Sequence, residues 1–295
     1  MPDQKVSSIF SWWNTSLDPI RGANSTSASM VEKQILKLCA AFDIVILGEY
    51  SNIHDLDLKL EELNTLFKQD GISKEMHLID LNQQGGHIKF KNLVIYNSLL
   101  YSYIPSYEDE SSTFINVSSG FCETNYRVGQ RIRFSSPLFQ KTLEFYIIHW
   151  SMHGEQDGDD KKISAAMTLY NEIMKHKEFF QICIGDFNTE PYSRPLCHLG
   201  SSRSKEYVEK HGGFYNPFWK EMHLKGTLNG LNREGIKCFY PTFDQILINQ
   251  ALLTNENSSF ETGILEKSFE AGKGEHFPIY IKFDISILTG RPQNV

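Results

Sequence analysis

Five stretches of this sequence set side chains able to hold a cation or move a proton at the edge of an apolar run. In QICIGDFNTEP (181–191) the run ends at Gly185 and delivers Asp186 and Asn188, two residues apart. On an extended segment this spacing turns both oxygen-bearing side chains to one side, where they suit a cation, a water or a phosphate oxygen. Asp-x-Asn after a strand also serves plain turn chemistry, so the tetrapeptide alone leaves both readings open. FDIVILGEY (42–50) ends in Glu49 behind a glycine, and EFYIIHWSMHG (144–154) puts His149 at a similar place. PTFDQILIN (241–249) opens a run with Asp244, and GKGEHFPIYIKFD (272–284) sets Glu275 beside His276. Each has an ordinary alternative: a solvated turn acid, a histidine packed beside Trp150, a surface acid–histidine pair. Five such clusters in one chain are harder to explain separately than together.

The elements that must position these residues are legible as apolar periodicity. Strand-like runs fall at 44–48, 76–80, 92–97, 131–134, 144–150, 180–185, 243–248 and 278–283. Helix-period segments at 30–41, 56–68 and 161–176 carry apolar residues at spacings of three and four. Strands outnumber helices and recur to the C-terminal end, an order that suits a mixed α/β architecture with two sheets better than a regular βαβ series. The least regular part, 102–128, is rich in Ser and acids and reads as an excursion within one domain spanning 1–295, because the five clusters lie on both sides of it.

Bulk properties set limits. With 295 residues, 40% of them hydrophobic, the chain can bury a sizeable core. No stretch approaches the roughly 18 uninterrupted apolar residues of a membrane span, and the N-terminal segment lacks the pattern of a secretory leader, so a cytoplasmic location is expected. The five cysteines are scattered without CxxC spacing and are expected to be reduced thiols, most of them filling the core. A net charge of -7 argues against coating nucleic acid by bulk electrostatics, yet it leaves room for an enzyme with a local basic rim or bound divalent cations.

Taken in order, SWWN (11–14), ILGE, HW, GDFN, FDQIL and EHFPI resemble the endonuclease/exonuclease/phosphatase (deoxyribonuclease I-like) superfamily, over residues 11 to about 283. The resemblance implies a four-layer α/β sandwich: two mixed, mostly antiparallel sheets packed face to face, helices outside, and a site at one edge. It implies metal contacts from Asn14, Glu49 and Glu275, a phosphate contact from His149, and water and phosphate positioning by Asp186 and Asn188. Asp244 would steady a histidine, and His276 would be the last catalytic residue. Asp186 and His276 are expected at the exposed rim of the sheets. Two departures, Glu275 and Gly274 where the family commonly has Asp and Ser, and a third, Ile148 ahead of His149, bear on metal geometry and substrate preference rather than on reaction class.

The chemistry agrees with those roles. A phosphodiester repels hydroxide, so its hydrolysis requires neutralised phosphate charge, an in-line water and a supported leaving oxygen. Sparse oxygen ligation by Glu49, Glu275 and Asn14 suits Mg²⁺ or Mn²⁺. The resemblance covers enzymes acting on DNA, RNA, lipid and small phosphates. A nuclease with nucleic acid as substrate is the leading expectation, followed by a phosphatase or phosphodiesterase of small or lipid phosphates, and then by a catalytically weak binding module. Arg127, Arg131 and Arg133 in NYRVGQRIRF (125–134) offer either a phosphate-tracking rim or a solvated strand face. Tyr215 and Trp219 in FYNPFWK (214–220) offer either stacking on a base or core packing. No basic amphipathic helix argues for a membrane surface, and none is expected as a partner.

Overall fold

The computed structural model describes residues 4–17, 25–50, 53–85, 88–105, 114–118, 125–150, 158–223, 226–227, 241–255, 258–265 and 276–287. The first half runs β1 (Gln4–Asn14), α1 (Ser25–Ala41), β2 (Ile44–Gly48), α2 (Ile53–Gln69), β3 (Met76–Asp80), the small hairpin β4 (Gln83–Gly85) and β5 (Ile88–Phe90), β6 (Asn92–Asn97) and β7 (Ser102–Ile104). It continues with β8 (Phe114–Ser118), β9 (Asn125–Ser135), β10 (Leu143–His149), α3 (Gly158–Met174), β11 (Phe180–Asp186), α4 (Arg194–His198) and β12 (Ser201–Ser202). The remainder is α5 (Lys205–His211), β13 (Phe214–Tyr215), a 3-10 turn at Pro217–His223, β14 (Asp244–Asn249), α6 (Gln250–Leu253), β15 (Ser258–Ile264) and β16 (Ile279–Ile287).

Two sheets result. The first has the order β15-β16-β1-β2-β6-β3, and the second β12-β13-β14-β11-β10-β9-β7 with β8 paired to β9. Both are mixed: β1 with β2 and β10 with β11 run parallel, and most other pairs are antiparallel. The strands expected from apolar runs are all present, and the chain also contains β1 and β15, where serines interrupt the apolar pattern. In the irregular stretch, β7, β8 and the start of β9 join the second sheet.

Layering follows from which residues are apolar on both sides. Phe10, Trp12, Ile44 and Ile281 of the first sheet meet Phe145, Ile147, Ile182 and Ile246 of the second in a shared core. The opposite face of the first sheet is covered by α1 and α2 through Ile35, Leu38, Leu56 and Leu60, and that of the second by α3 and α4 through Ala165, Leu169 and Leu196. Central strands such as IVILG and FQICIGD are buried at every position, which is why they read as continuous rather than alternating apolar runs. In α2, Leu56, Leu60 and Phe67 form the buried stripe, while Asp55 and Lys68 sit at the ends that the helix dipole favours. The expected four-layer α/β sandwich is thus the architecture found.

Cys39 and Cys183 are buried among these side chains, and burial pushes the Cys39 thiol up to about 12. Cys197 is exposed. Among the described residues, no helix is long and apolar enough to cross a membrane.

Candidate active site

Strand register brings most of the chemically capable residues to one edge of the sandwich. Asn14 ends β1 opposite Gly48, the last residue of the parallel strand β2, so Glu49 emerges beside it. In the second sheet His149 pairs with Asp186 at the ends of parallel β10 and β11, and Asp244 pairs with Asp186 across antiparallel β14. His276 stands just before β16, which runs alongside β1 with Ile279 opposite Trp12.

Two glycines make this convergence possible. A Cβ on Gly185 would lie 1.9 Å from the Ile148 carbonyl oxygen, at φ +148°, and one on Gly48 would lie 2.5 Å from the Trp12 indole. Beyond each glycine the chain turns through a left-handed residue, Glu49 at φ 54° and Asn188 at φ 47°. Non-glycine residues adopt that conformation at a cost, and they keep it where the surroundings hold them. For Asn188 the hold is visible. Its N–H donates to Asp186 Oδ1 at 2.8 Å and its Nδ2 to the Trp150 carbonyl at 2.7 Å.

Contacts across the two sheets then define the cluster. Asp186 Oδ2 accepts from Asn188 Nδ2 at 3.0 Å and from Asn14 Nδ2 at 3.3 Å. The same oxygen stands 4.0 Å from His149 Nε2 and 3.9 Å from His276 Nε2. His149 Nε2 also lies 3.3 Å from Glu49 Oε1. Behind His276, Asp244 Oδ2 meets Nδ1 at 2.7 Å, while Asp244 Oδ1 accepts from Trp12 Nε1 at 2.7 Å. The Trp13 indole donates to the His276 carbonyl, and the Asp244 N–H donates to Thr227 Oγ1.

Asp186 and His276 were expected at an exposed rim; they are instead 2% and 8% exposed, enclosed between the sheet ends. Enclosure sets their protonation. Burial, then the Asp244 charge, pushes the Asp186 carboxyl up to about 7 against the lowering pull of His276. For His276 burial favours the neutral ring, but the charge and hydrogen bond of Asp244, with Asp186 and Glu49 beyond, outweigh it and raise the imidazole to about 9.

Asp186, Asp244 and His276 offer ligand atoms within 4.8 Å of one another. Asp244, however, stands behind His276, bonded to its Nδ1 and to the Trp12 indole, which marks it as the support of the imidazole rather than a cation ligand. The residues on the other side of the ring that could hold a divalent cation are Asp186, Glu49 and Asn14; the Asp186 oxygens and Asn14 Oδ1 also accept hydrogen bonds within the site. Two carboxylates and an amide oxygen, with the Asp186 carboxyl raised to about 7 by burial and then by the Asp244 charge, form a donor set that a hard divalent cation fits.

Other expected residues lie elsewhere. Glu275 is outside the described residues. Arg131 and Arg133 form neither a phosphate rim nor a solvated face. They project to the helix side of the second sheet, where Arg131 is 8% exposed. Arg133 Nε is bonded to the fully buried Glu144 at 2.8 Å, because that carboxylate, also bonded to Tyr146 and Gln181, needs a cation. Arg127 lies in β9, and its side chain is outside the described set. Tyr215 packs at the edge of the inter-sheet core against Phe260, whereas Trp219 contacts Tyr192 and Arg203.

Sequence reasoning overlooked Lys162. This lysine is 1% exposed, and its Nζ donates to the Asn188 carbonyl at 2.5 Å. Burial lowers its pKa against the raising charges of Asp159 and Asp186. The signal was available: Lys162 precedes Ala165, Ala166, Leu169 and Ile173 on the buried stripe of α3, where a lysine has no packing reason to be. Lys162→Met is expected to lower the melting temperature by a few degrees, since the buried Asn188 carbonyl loses its donor. Turnover should also fall on the order of tenfold as Asn188 loosens. Thermal melting together with steady-state rates checks both halves.

No protein-family model and no curated protein matches this sequence. Solved structures do. An endonuclease/exonuclease/phosphatase from Bacteroides vulgatus superposes with a TM-score of 0.60 at 12% identity, covering 95% of this chain and 100% of that one. D. rerio TDP2 complexed with a single-strand DNA product gives 0.57 at 14% identity over 94% and 98% of the two chains. The mannosyl-6-phosphatase Bt3783 of Bacteroides thetaiotaomicron gives 0.57 at 12% identity over 94% and 99%. At such identities the likeness speaks to architecture alone, and by that architecture the chain has the endonuclease/exonuclease/phosphatase fold.

Proposed function

We propose that the protein is a divalent-metal-dependent phosphodiester hydrolase acting on nucleic acid. The observation that carries this reading is one oxygen, Asp186 Oδ2, faced at 4.0 and 3.9 Å by the Nε2 atoms of two histidines from different sheets. Two imidazoles aimed at the carboxylate that could take a proton from water make a pocket for a tetrahedral anion. In this scheme the Asp186 carboxylate, faced by both imidazoles, receives the proton of the attacking water. His276, kept protonated by Asp244, donates to a nonbridging phosphate oxygen, and His149 does the same from the other side. Asn188 Nδ2, bonded to the Trp150 carbonyl and to Asp186 Oδ2, holds that carboxylate in its orientation towards the water. A cation held by Glu49, Asn14 and Asp186 would supply Lewis-acid neutralisation of phosphate charge.

Nucleic acid is favoured by the fold shared with a protein bound to a single-strand DNA product. The second reading, hydrolysis of a small phosphate ester, is favoured by the equal likeness to a mannosyl-6-phosphatase. The test is incubation of the purified protein with single-stranded DNA, duplex DNA, RNA, sugar phosphates and phosphoinositides, each with Mg²⁺ and with EDTA. Metal-dependent cleavage of a polynucleotide is the expected result. Cleavage confined to the small esters would shift the assignment to the second reading, and full activity in EDTA would remove the metal.

A further inference from the structure

Beyond Asn188 the chain crosses the top of the second sheet through Glu190, which accepts the Thr242 N–H, to Tyr192, 55% exposed. There it meets two other elements. The Tyr192 and Trp219 ring centroids are 6.0 Å apart at 53°, and the Arg203 guanidinium lies 5.6 Å over the Trp219 ring. The 3-10 turn that carries Trp219 is tied back to the site edge: Asn216 Nδ2 donates to Gln245 Oε1, and Gln245 Nε2 donates to the Thr189 carbonyl, next to Asn188.

Phe218 of the same turn is fully buried and anchors it, so Trp219 is not required for the core. The Trp219 indole nitrogen is buried and has no hydrogen-bond partner among the described residues, so what the side chain presents is its ring. A cation on an indole beside an exposed phenol offers π-faces and positive charge together, the combination that accepts a base of any identity with its backbone phosphate. Spacing agrees. Arg203 directly follows β12, three strands from β11 in the order β12-β13-β14-β11, about 14 Å at roughly 4.8 Å per strand. Ser202, just before Arg203, pairs with Tyr215, which is level with Ile248, four residues along β14 from Asp244, so the cluster lies to one side of the Asp186 edge at a separation that a few nucleotides of an extended strand span.

We infer that Tyr192, Trp219 and Arg203 form a stacking subsite for an unpaired nucleobase of a single-stranded nucleic acid whose phosphate lies at Asp186. The inference rests on the nucleic-acid reading above and adds its preference for unpaired strands. A paired base has both faces occupied by its own stack and is excluded.

The four tryptophans supply the probe, since Trp12, Trp13 and Trp150 are buried and Trp219 is partly exposed. Stopped-flow mixing of the full chain with a ten-residue single-stranded oligodeoxynucleotide in Mg²⁺ is expected to quench tryptophan fluorescence. The same sequence as a duplex should quench far less. Tyr192→Ala, at an exposed position, should weaken binding and raise KM for the oligonucleotide about tenfold with kcat within twofold. Trp219→Phe should abolish the quenching while both variants hydrolyse bis(p-nitrophenyl) phosphate, which is too short to reach the subsite, at the wild-type rate. Unchanged oligonucleotide binding in Tyr192→Ala, or no quenching of the wild type, overturns the subsite. Quenching without metal-dependent hydrolysis would support the subsite and sink the proposed reaction instead.

Discussion

Asp244→Asn is expected to lower turnover by about 10³–10⁴-fold with little change in fold. Asp244 receives the Trp12 N–H at one oxygen and faces His276 Nδ1 with the other. The indole can only donate, so the amide oxygen of the variant must stay with Trp12, and the amide nitrogen is then presented to His276. Nδ1 of His276 is forced to accept, which moves the ring proton to Nε2 and removes the carboxylate charge that holds the imidazole protonated to about 9. A neutral ring no longer offers a cation to developing phosphate charge, although its position is unchanged. Steady-state kinetics with bis(p-nitrophenyl) phosphate, paired with circular dichroism, read the effect. Near-normal turnover in a folded variant would remove Asp244 and His276 from the chemistry.

Metal affinity is expected to fall roughly 15-fold between pH 7 and pH 5.5, as the ionised share of Asp186 drops from about half to about 3%, because the cation must displace the proton from Asp186. Asp186 has a folded value of about 7 against an ordinary 3.8, so the metal-free fold binds its proton more tightly than the unfolded chain. The stabilisation this contributes is present when the group is protonated and is lost as pH rises from about 4 through about 7. His276, raised from 6.5 to about 9, adds stability that is complete below 6.5 and lost as pH passes about 9. Both trends weaken the metal-free protein towards alkaline pH, where a divalent cation meets an ionised Asp186. The increase in melting temperature on adding Mn²⁺ should therefore be large at pH 8 and small at pH 5.5. Calorimetric titration with Mn²⁺ across that range checks the affinity directly. An affinity independent of pH would take Asp186 out of the ligand set.

How much of this was legible beforehand depended on whether a residue's role is local. The strands at 44–48, 92–97, 144–150 and 180–185 declare themselves because both their faces are covered, so every position is apolar. The acids and histidines at their ends were visible for the same reason, as polar residues where an apolar run stops. β1 was less legible as a strand. Ser8 and Ser11 are buried in it, and their fit depends on neighbouring strands rather than on their own polarity.

Pairings between distant segments belong to the tertiary structure. Trp12 and Asp244 are 232 residues apart, Asn14 and Asp186 are 172, and each pair spans the two sheets. The resemblance already implied Asp244 as the support of a histidine, but by pattern alone Asp186 and Asp244 look alike as acids beside apolar runs, and the contacts to Trp12 and His276 that separate their roles are set by packing. The arginines of β9 make the same point in reverse. Their alternation correctly places Arg131 and Arg133 on one face, but only the fold decides that this face lies under α3 against Glu144 and not towards solvent. Lys162 joins the site for a like reason: its position on the buried stripe of a helix is local information, whereas the Asn188 carbonyl it meets there is placed by strand register. Sequence periodicity thus determines which way a side chain points within its own element, while the chemistry of a buried charge is decided by the partner that long-range packing sets against it.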